Sequence, residues 1–329
     1  MQEKYLRLWS YALGHFWVDF SCALLLFSRL SGQGEWALCV LLYNFCAFAL
    51  QMPIGVLAGR WRYSGRVATF GCILAALGWG LAPVPAAAAV TAGLGNACFH
   101  VGGGMQILED GEKKAASLGI FVSPGAFGIY FGALLEVPAL LPAVGLLLFA
   151  LWFHRLAVPA AKSPEMDVPD QNALWALMCF FLVVVLRSYL GMVLSFPWKT
   201  GGWNLGMLCA VVLGKAAGGF LGDCMGMRRT AAISLGLAAV FFCLSDFPLA
   251  GITAVFFFNM TMPITLWAAA RLLPAGKGFA FGLLTFALFI GFLPVWLGWP
   301  LLLAGGTGYA AGAACSLVLL ALGLRKGGL

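Results

Sequence analysis

The chain has 329 residues, 62% of them hydrophobic and only 9% charged, with a mean hydropathy of +0.97. That composition excludes a soluble globular domain; with about 20 mostly apolar residues needed per crossing, it leaves room for about ten to twelve spans and no sizeable domain outside the membrane. The formal charge of +7 does not point to nucleic acid, because the basic residues stand in short clusters between apolar runs and form no continuous face.

Apolar runs and their breakers predict helices over 7–29, 36–59, 67–82, 86–107, 115–135, 138–154, 172–195, 202–222, 230–246, 248–271, 278–298 and 301–323. Lys4 and Arg7 ahead of the first run look like the start of a signal peptide. The run is too long for one, carries Asp19 and lacks an A-x-A-like cleavage site, so it is expected to remain as the first helix. The third run is short, and Glu136-Val137-Pro138 alone separates the fifth from the sixth, so a ten-helix count stays open. The longest polar stretch, with Lys162, Ser163, Pro164, Glu165, Asp167, Pro169 and Asp170, divides the chain into residues 1–154, a cytoplasmic linker at 155–171, and residues 172–329. The expected fold class is an all-α polytopic membrane protein with about twelve transmembrane helices in two six-helix bundles.

All but four of the 19 lysines and arginines fall on one side of this map, including Arg62, Lys113, Lys114, Lys162, Arg271 and Lys277. Arg29 and Lys199 fall on the other side, and Arg187 and Lys215 lie inside spans. Positive loops stay cytoplasmic, so both termini and the linker are expected in the cytoplasm of a cell-membrane protein. The ten cysteines form no C-x-x-C pair and have no histidine at ligand spacing; they are expected as packing residues, with neither metal nor cofactor.

Two loops repeat. After the second run stands Gly55-Val56-Leu57-Ala58-Gly59-Arg60, then Gly65-Arg66; after the eighth stands Gly219-Phe220-Leu221-Gly222-Asp223, then Gly226-Met227-Arg228-Arg229. Both resemble the G-x-x-x-D-[RK]-x-G-[RK]-[RK] gating loop of the major facilitator superfamily. Glycine permits close helix packing, and an acid at a helix end with arginines beyond it can latch neighbouring helices. In the first copy Gly59 replaces the acid and Arg62, Tyr63 and Ser64 lengthen the turn.

A narrower resemblance, to the fosmidomycin-resistance branch of that superfamily, rests on Gly14-His15-Phe16-Trp17-Val18-Asp19-Phe20, Gln51-Met52-Pro53-Ile54-Gly55, Gly95-Asn96-Ala97-Cys98-Phe99-His100 and the segment from Ser117 to Gly128. It covers roughly the first 135 residues. Where the branch commonly has a proline and an acid after the histidine, this chain has Val101-Gly102-Gly103-Gly104. The resemblance implies alternating access, helices one, four, seven and ten around a central cavity, and export as the direction.

Ionisable residues at membrane depth cost about 2.5–3.5 kcal/mol each on insertion scales, so each is a functional candidate. His15 and Asp19 share a face of the first helix at one-turn spacing, and Asn96 and His100 repeat that spacing in the fourth. The first pair could load and release a proton, or could be a buried pair tying helix one to a neighbour. Arg187 has no acid at one-turn spacing in its own helix and suits a carboxylate or phosphonate; a structural ion pair is the alternative. Asn259 and Trp267 could add a hydrogen bond and an aromatic wall, and Lys215 reads as structural. Gly102-Gly103-Gly104 reads as helix flexibility in preference to a phosphate-cradling loop.

The combined expectation is a monomeric, non-enzymatic secondary transporter for a small organic anion or amphipathic compound, exchanged for or carried with protons. A ten-helix drug or metabolite carrier, an intramembrane enzyme using His15, Asp19 and His100, and a non-transporting receptor or scaffold remain as alternatives.

Overall fold

The computed structural model describes residues 2–60, 64–111, 114–159 and 169–329. The expected features at Arg62, Tyr63 and Lys113, and most of the expected linker with Lys162, Ser163, Pro164, Glu165 and Asp167, lie outside these residues. Among the described residues the chain is helical and has no strand. In chain order the helices are α1 (Gln2–Leu24), continued as π-helix over Leu25–Leu30; α2 (Trp36–Asn44), a π-helical Phe45–Ala49 and α3 (Gln51–Ala58); α4 (Ser64–Gly80); α5 (Pro85–Asp110); α6 (Ala115–Val122); α7 (Pro124–Leu134); α8 (Leu140–Leu156); α9 (Gln171–Val193); α10 (Gly202–Met225); α11 (Met227–Cys243); α12 (Pro248–Asn259); α13 (Thr261–Leu272); α14 (Lys277–Trp296); and α15 (Gly305–Lys326).

Each expected apolar run is helical, but three are interrupted, in each case where a proline withholds its N–H from the carbonyl four residues back. Pro53 follows the π-helical turn ending at Ala49, Pro124 opens α7 after the break at Ser123, and Pro263 follows the break at Met260. Side-chain hydroxyls take up nearby carbonyls: Ser123 Oγ donates to the Gly119 oxygen, and Thr261 Oγ1 to the Phe258 oxygen at 3.0 Å.

Among the described residues, eight helical stretches are long and apolar enough to cross a membrane: Gln2–Leu30, Trp36–Ala58, Ala115–Leu134, Gln171–Val193, Gly202–Met225, Pro248–Leu272, Lys277–Trp296 and Gly305–Lys326. The other four expected spans fall short for two physical reasons. Helices α4, α8 and α11 have 17 residues each, about 25 Å of rise against a hydrocarbon core of about 30 Å. Helix α5 has 26 residues, but its face is made of glycine, alanine, Asn96, His100 and Gln106, which lowers its apolarity.

That face is explained by what it touches. A β-carbon at Gly71 would meet the backbone of Phe99 and Gly95, one at Gly95 the backbone of Ala75 and Gly71, and one at Gly102 the backbone of Ala68 and Ser64. Helices α4 and α5 therefore lie backbone against backbone, the arrangement that small residues allow where lipid supplies no hydrophobic drive. Gly102, Gly103 and Gly104 are helical residues inside α5, so no phosphate-cradling loop forms there.

The chain divides into two compact units. The first comprises Met1–Glu112, Pro124–Glu165 and Ala275–Phe286; the second comprises Lys113–Ser123, Met166–Pro274 and Ala287–Leu329. On α8 the exposed residues Leu140, Val144, Leu147, Leu148 and Leu151 recur at helical spacing, an apolar stripe that lipid covers and water would not.

Gly71→Val is expected to force α4 from α5 and to cost about 1–3 kcal/mol or more, read as a lower melting temperature in detergent. A β-carbon at Gly236 in α11 would have nothing within 4 Å, so Gly236→Ala should instead stabilise by about 0.4–1 kcal/mol.

Candidate functional site

The first unit concentrates its buried polar chemistry where α1 meets α5. One helical turn separates His15 from Asp19 on α1, and one turn separates Asn96 from His100 on α5; all four are less than a tenth exposed. His15 Nε2 lies 3.2 Å from Asp19 Oδ2, and His100 Nε2 lies 3.7 Å from Asp19 Oδ1. Asn96 Nδ2 donates to Asp19 Oδ1 at 2.9 Å. The two imidazoles meet at Nε2, 2.9 Å apart.

The backbone assigns the tautomer of His100. Its Nδ1 is 2.9 Å from the Asn96 carbonyl oxygen, which can only accept, so Nδ1 carries the proton. In neutral His100, Nε2 is then an acceptor, and the contact with His15 Nε2 needs one proton held between the two rings. Phe99 closes the apolar side, its ring edge-on to both histidines at centroid distances of 6.3 and 5.5 Å.

The spacing Gly128-x-x-x-Gly132 predicts close helix approach, but sequence reasoning did not name α1 as the partner. A β-carbon at Gly125 on α7 would fall on His15 Nε2 and Asp19 Oδ2; one at Gly128 would fall on the α1 backbone at Phe16, and one at Gly132 on that at Phe20. The spacing of these glycines was the available signal. Also missed was the pairing of Arg7 with Asp110, where Nε and Nη2 donate to the two carboxylate oxygens at 2.7 and 3.1 Å. Beside it, Ser64 Oγ donates to Glu109 at 3.2 Å. Glu109 lies beyond the expected span, and burial pushes its carboxyl up against the opposing pull of Lys277 and Ser64.

The two repeated loops differ. In the first unit Gly55 presses on the backbone of Gly278 at the start of α14, Gly65 faces the Tyr11 hydroxyl, and Arg60 and Arg66 are exposed. In the second unit Gly219 presses on the Ala115 carbonyl, and Asp223 accepts from the backbone N–H groups of Ala115 and Ala116, each at 2.9 Å. Asp223 thus caps the N-terminus of α6, where orphan donors and the helix dipole favour an anion. Arg228 Nη2 donates to the Leu324 carbonyl near the end of α15 at 3.3 Å, the complementary cation at a helix C-terminus. Gly226, at φ +89°, makes the turn between α10 and α11 that a residue with a β-carbon would strain.

The remaining expected residues separate. Trp267 does not stand with Asn259: it lines an open cleft of about 590 Å³ with Asp223, Gly226, Arg228 and Arg229, and the Arg271 guanidinium lies over its ring at 5.7 Å. Eight positions, more than two helical turns, separate Asn259 at the end of α12 from Trp267 in the second half of α13. Asn259 Nδ2 donates to its own helix at Val255, 2.8 Å away, and Lys215 Nζ donates to the Val122 carbonyl at 3.4 Å. Arg187, in α9, is 8% exposed, and its Nη1 is buried with no hydrogen-bond partner among the described residues.

No protein-family model and no curated protein sequence matches the chain. Solved structures do. A Major Facilitator Superfamily transporter, FucP, in the outward conformation is similar at a TM-score of 0.72 and 15% identity, over 98% of this chain and 99% of that one. A variant of the E. coli fucose:proton symporter FucP is similar at 0.72 and 15%, over 96% and 97%. The fold is therefore that of Major Facilitator Superfamily transporters over the whole length, and the chain is a multi-pass membrane protein.

Asp223→Ala should uncap α6 and cost about 0.5–2 kcal/mol, measured as a drop in melting temperature; Asp223→Asn, which keeps an acceptor oxygen, should recover part of it.

Proposed function

We propose that the chain is a secondary active transporter of the fosmidomycin-resistance kind, working by alternating access and coupled to protons. The observation that carries this reading is the His15–Asp19–His100 cluster. A carboxylate and two imidazoles are costly at membrane depth, and a proton held between two ring nitrogens is one that can be passed on. The likeness of fold to a fucose:proton symporter over nearly the full length of both chains supports it.

In this reading the four short or less apolar helices also cross, giving twelve crossings, six on either side of the 155–171 linker, with both termini cytoplasmic in a cell membrane. Helices α4 and α5 are suited to this because their small-residue faces are buried on each other, leaving only their outer faces to lipid. The chain acts as a monomer, and export is the direction that the branch resemblance favours.

The substrate class follows from Arg187. A buried guanidinium nitrogen without a hydrogen-bond partner is a standing cost of about 1–3 kcal/mol or more, and an anionic carboxylate or phosphonate relieves it through paired hydrogen bonds. Asn259, also in the second unit, keeps an amide oxygen to offer. Trp267 belongs with the loop cleft and has no part in the substrate site. In that cleft Asp223, Arg228 and Arg229 form the latch of the second half, while Gly59 leaves the first half without the matching acid.

In proteoliposomes with an imposed pH gradient, Asp19→Asn should reduce gradient-driven flux to background while leaving substrate exchange without a gradient; flux that stays fully dependent on the gradient removes Asp19 from coupling. A thermal-shift screen of small organic anions on the purified protein should yield binders whose affinity falls about 10–100-fold in Arg187→Lys, as loss of a charge-assisted hydrogen-bond pair implies. Unchanged affinity for every anion would mean that Arg187 does not bind substrate.

A further inference from the structure

The donor atoms of the buried cluster have a geometry that a shared proton does not require. His15 Nε2 and His100 Nε2 are 2.9 Å apart, His15 Nε2 is 3.2 Å from Asp19 Oδ2, and His100 Nε2 is 3.7 Å from Asp19 Oδ1. In a tetrahedral site with metal–ligand bonds of about 2.0–2.1 Å, neighbouring ligand atoms stand about 3.3 Å apart. The nitrogen–nitrogen separation and the approaches of the two nitrogens to opposite oxygens of the Asp19 carboxylate bracket that value, and one ligand atom from each of the three residues lies within 4.8 Å of the others.

The surroundings match a metal site in two further respects. A ligating histidine turns its other ring N–H to a carbonyl or carboxylate, which fixes its tautomer and orientation; His100 does this through Nδ1 to the Asn96 carbonyl. A ligating carboxylate is itself held by a hydrogen bond, and Asn96 Nδ2 supplies it. Asn96 also carries an amide oxygen, Oδ1, that is buried with no hydrogen-bond partner among the described residues. Gly125 keeps the space next to His15 Nε2 and Asp19 Oδ2 free of a side chain.

We infer that His15, Asp19 and His100 form a binding site for a divalent first-row transition-metal ion, Zn²⁺ or one of its neighbours. Two imidazoles with one carboxylate select this class over Mg²⁺ and Ca²⁺, which take oxygen ligands. The ion would stand where the shared proton does and would tie α1 to α5. The inference concerns the cluster that the transport reading assigns to protons, but it rests on donor geometry and not on transport.

The test uses the purified full-length protein, stripped with a chelator and titrated with Co²⁺ and Zn²⁺. The expected result is one equivalent of Co²⁺ with the intense visible absorption of a four-coordinate ion, displaced by Zn²⁺, and a rise in melting temperature on adding Zn²⁺. His15→Ala and His100→Ala should each weaken binding about tenfold or more, while the third histidine of the chain, His154, exposed on α8, should be replaceable by alanine without effect. Should the two variants fail to fold, zinc-edge X-ray absorption of the loaded wild-type protein decides: imidazole and oxygen scatterers support the site. Sulfur scatterers from the cysteines, binding unchanged in His15→Ala and His100→Ala, or no stoichiometric binding overturn it. Absence of metal binding with pH-driven flux intact overturns this inference alone; metal binding without pH-driven flux upholds it and overturns the proton role alone.

Discussion

Inside a bilayer, apolar side chains gain nothing by leaving lipid for protein, so helices associate through close backbone approach and through the few polar groups they share. Glycine is what makes that approach possible here. Gly71, Gly95 and Gly102 bring α4 and α5 into backbone contact, and Gly125, Gly128 and Gly132 do the same for α7 against α1. In the second unit Gly214 and Gly218 press on the carbonyls of Phe256 and Met260. The polar cluster depends on these contacts, because a β-carbon at Gly125 would occupy the space beside the His15–Asp19 pair, and one at Gly95 would push α5, with Asn96 and His100, off α4.

The same constraint explains how charged groups are treated in the two units. Asp19 has three polar neighbours, and Arg7 and Asp110 form a two-bond pair. Asp223 is held by two backbone donors at the start of α6. Each of these arrangements supplies, from inside the protein, hydrogen bonds that water would otherwise give. In the first of the two repeated loops glycine stands at position 59 in place of the acid, and Gly55 meets the start of α14 by close backbone approach.

Much of this was legible in the sequence because it depends on local rules. Apolar runs gave helices at nearly the observed bounds, and one-turn spacing correctly grouped His15 with Asp19 and Asn96 with His100 on their own helices. What the spacing could not say was that the two pairs face each other, since that depends on the rotation of α1 against α5, set by glycines whose partners are distant in sequence. The breaks at Ser123 and Met260 were signalled by Pro124 and Pro263, yet a hydropathy reading passes over single prolines in apolar runs. That Trp267 lines the open cleft with Asp223 and Arg228 was not legible for a related reason: a run of apolar residues carries no mark of what each residue faces.

A structural role alone is a poor account of the groups that remain. A buried ion pair or polar network is commonly no more stabilising than well-packed apolar residues of the same volume, so a chain in which 62% of residues are hydrophobic had every means of filling these positions with leucine or phenylalanine. It keeps two histidines and an aspartate within hydrogen-bonding reach in one unit, and in the other a guanidinium with one nitrogen that has no hydrogen-bond partner among the described residues. Groups that cost stability in this way are what the proposed roles would account for: in the transport reading the cluster in one unit would hold an ion, and the guanidinium in the other an anion.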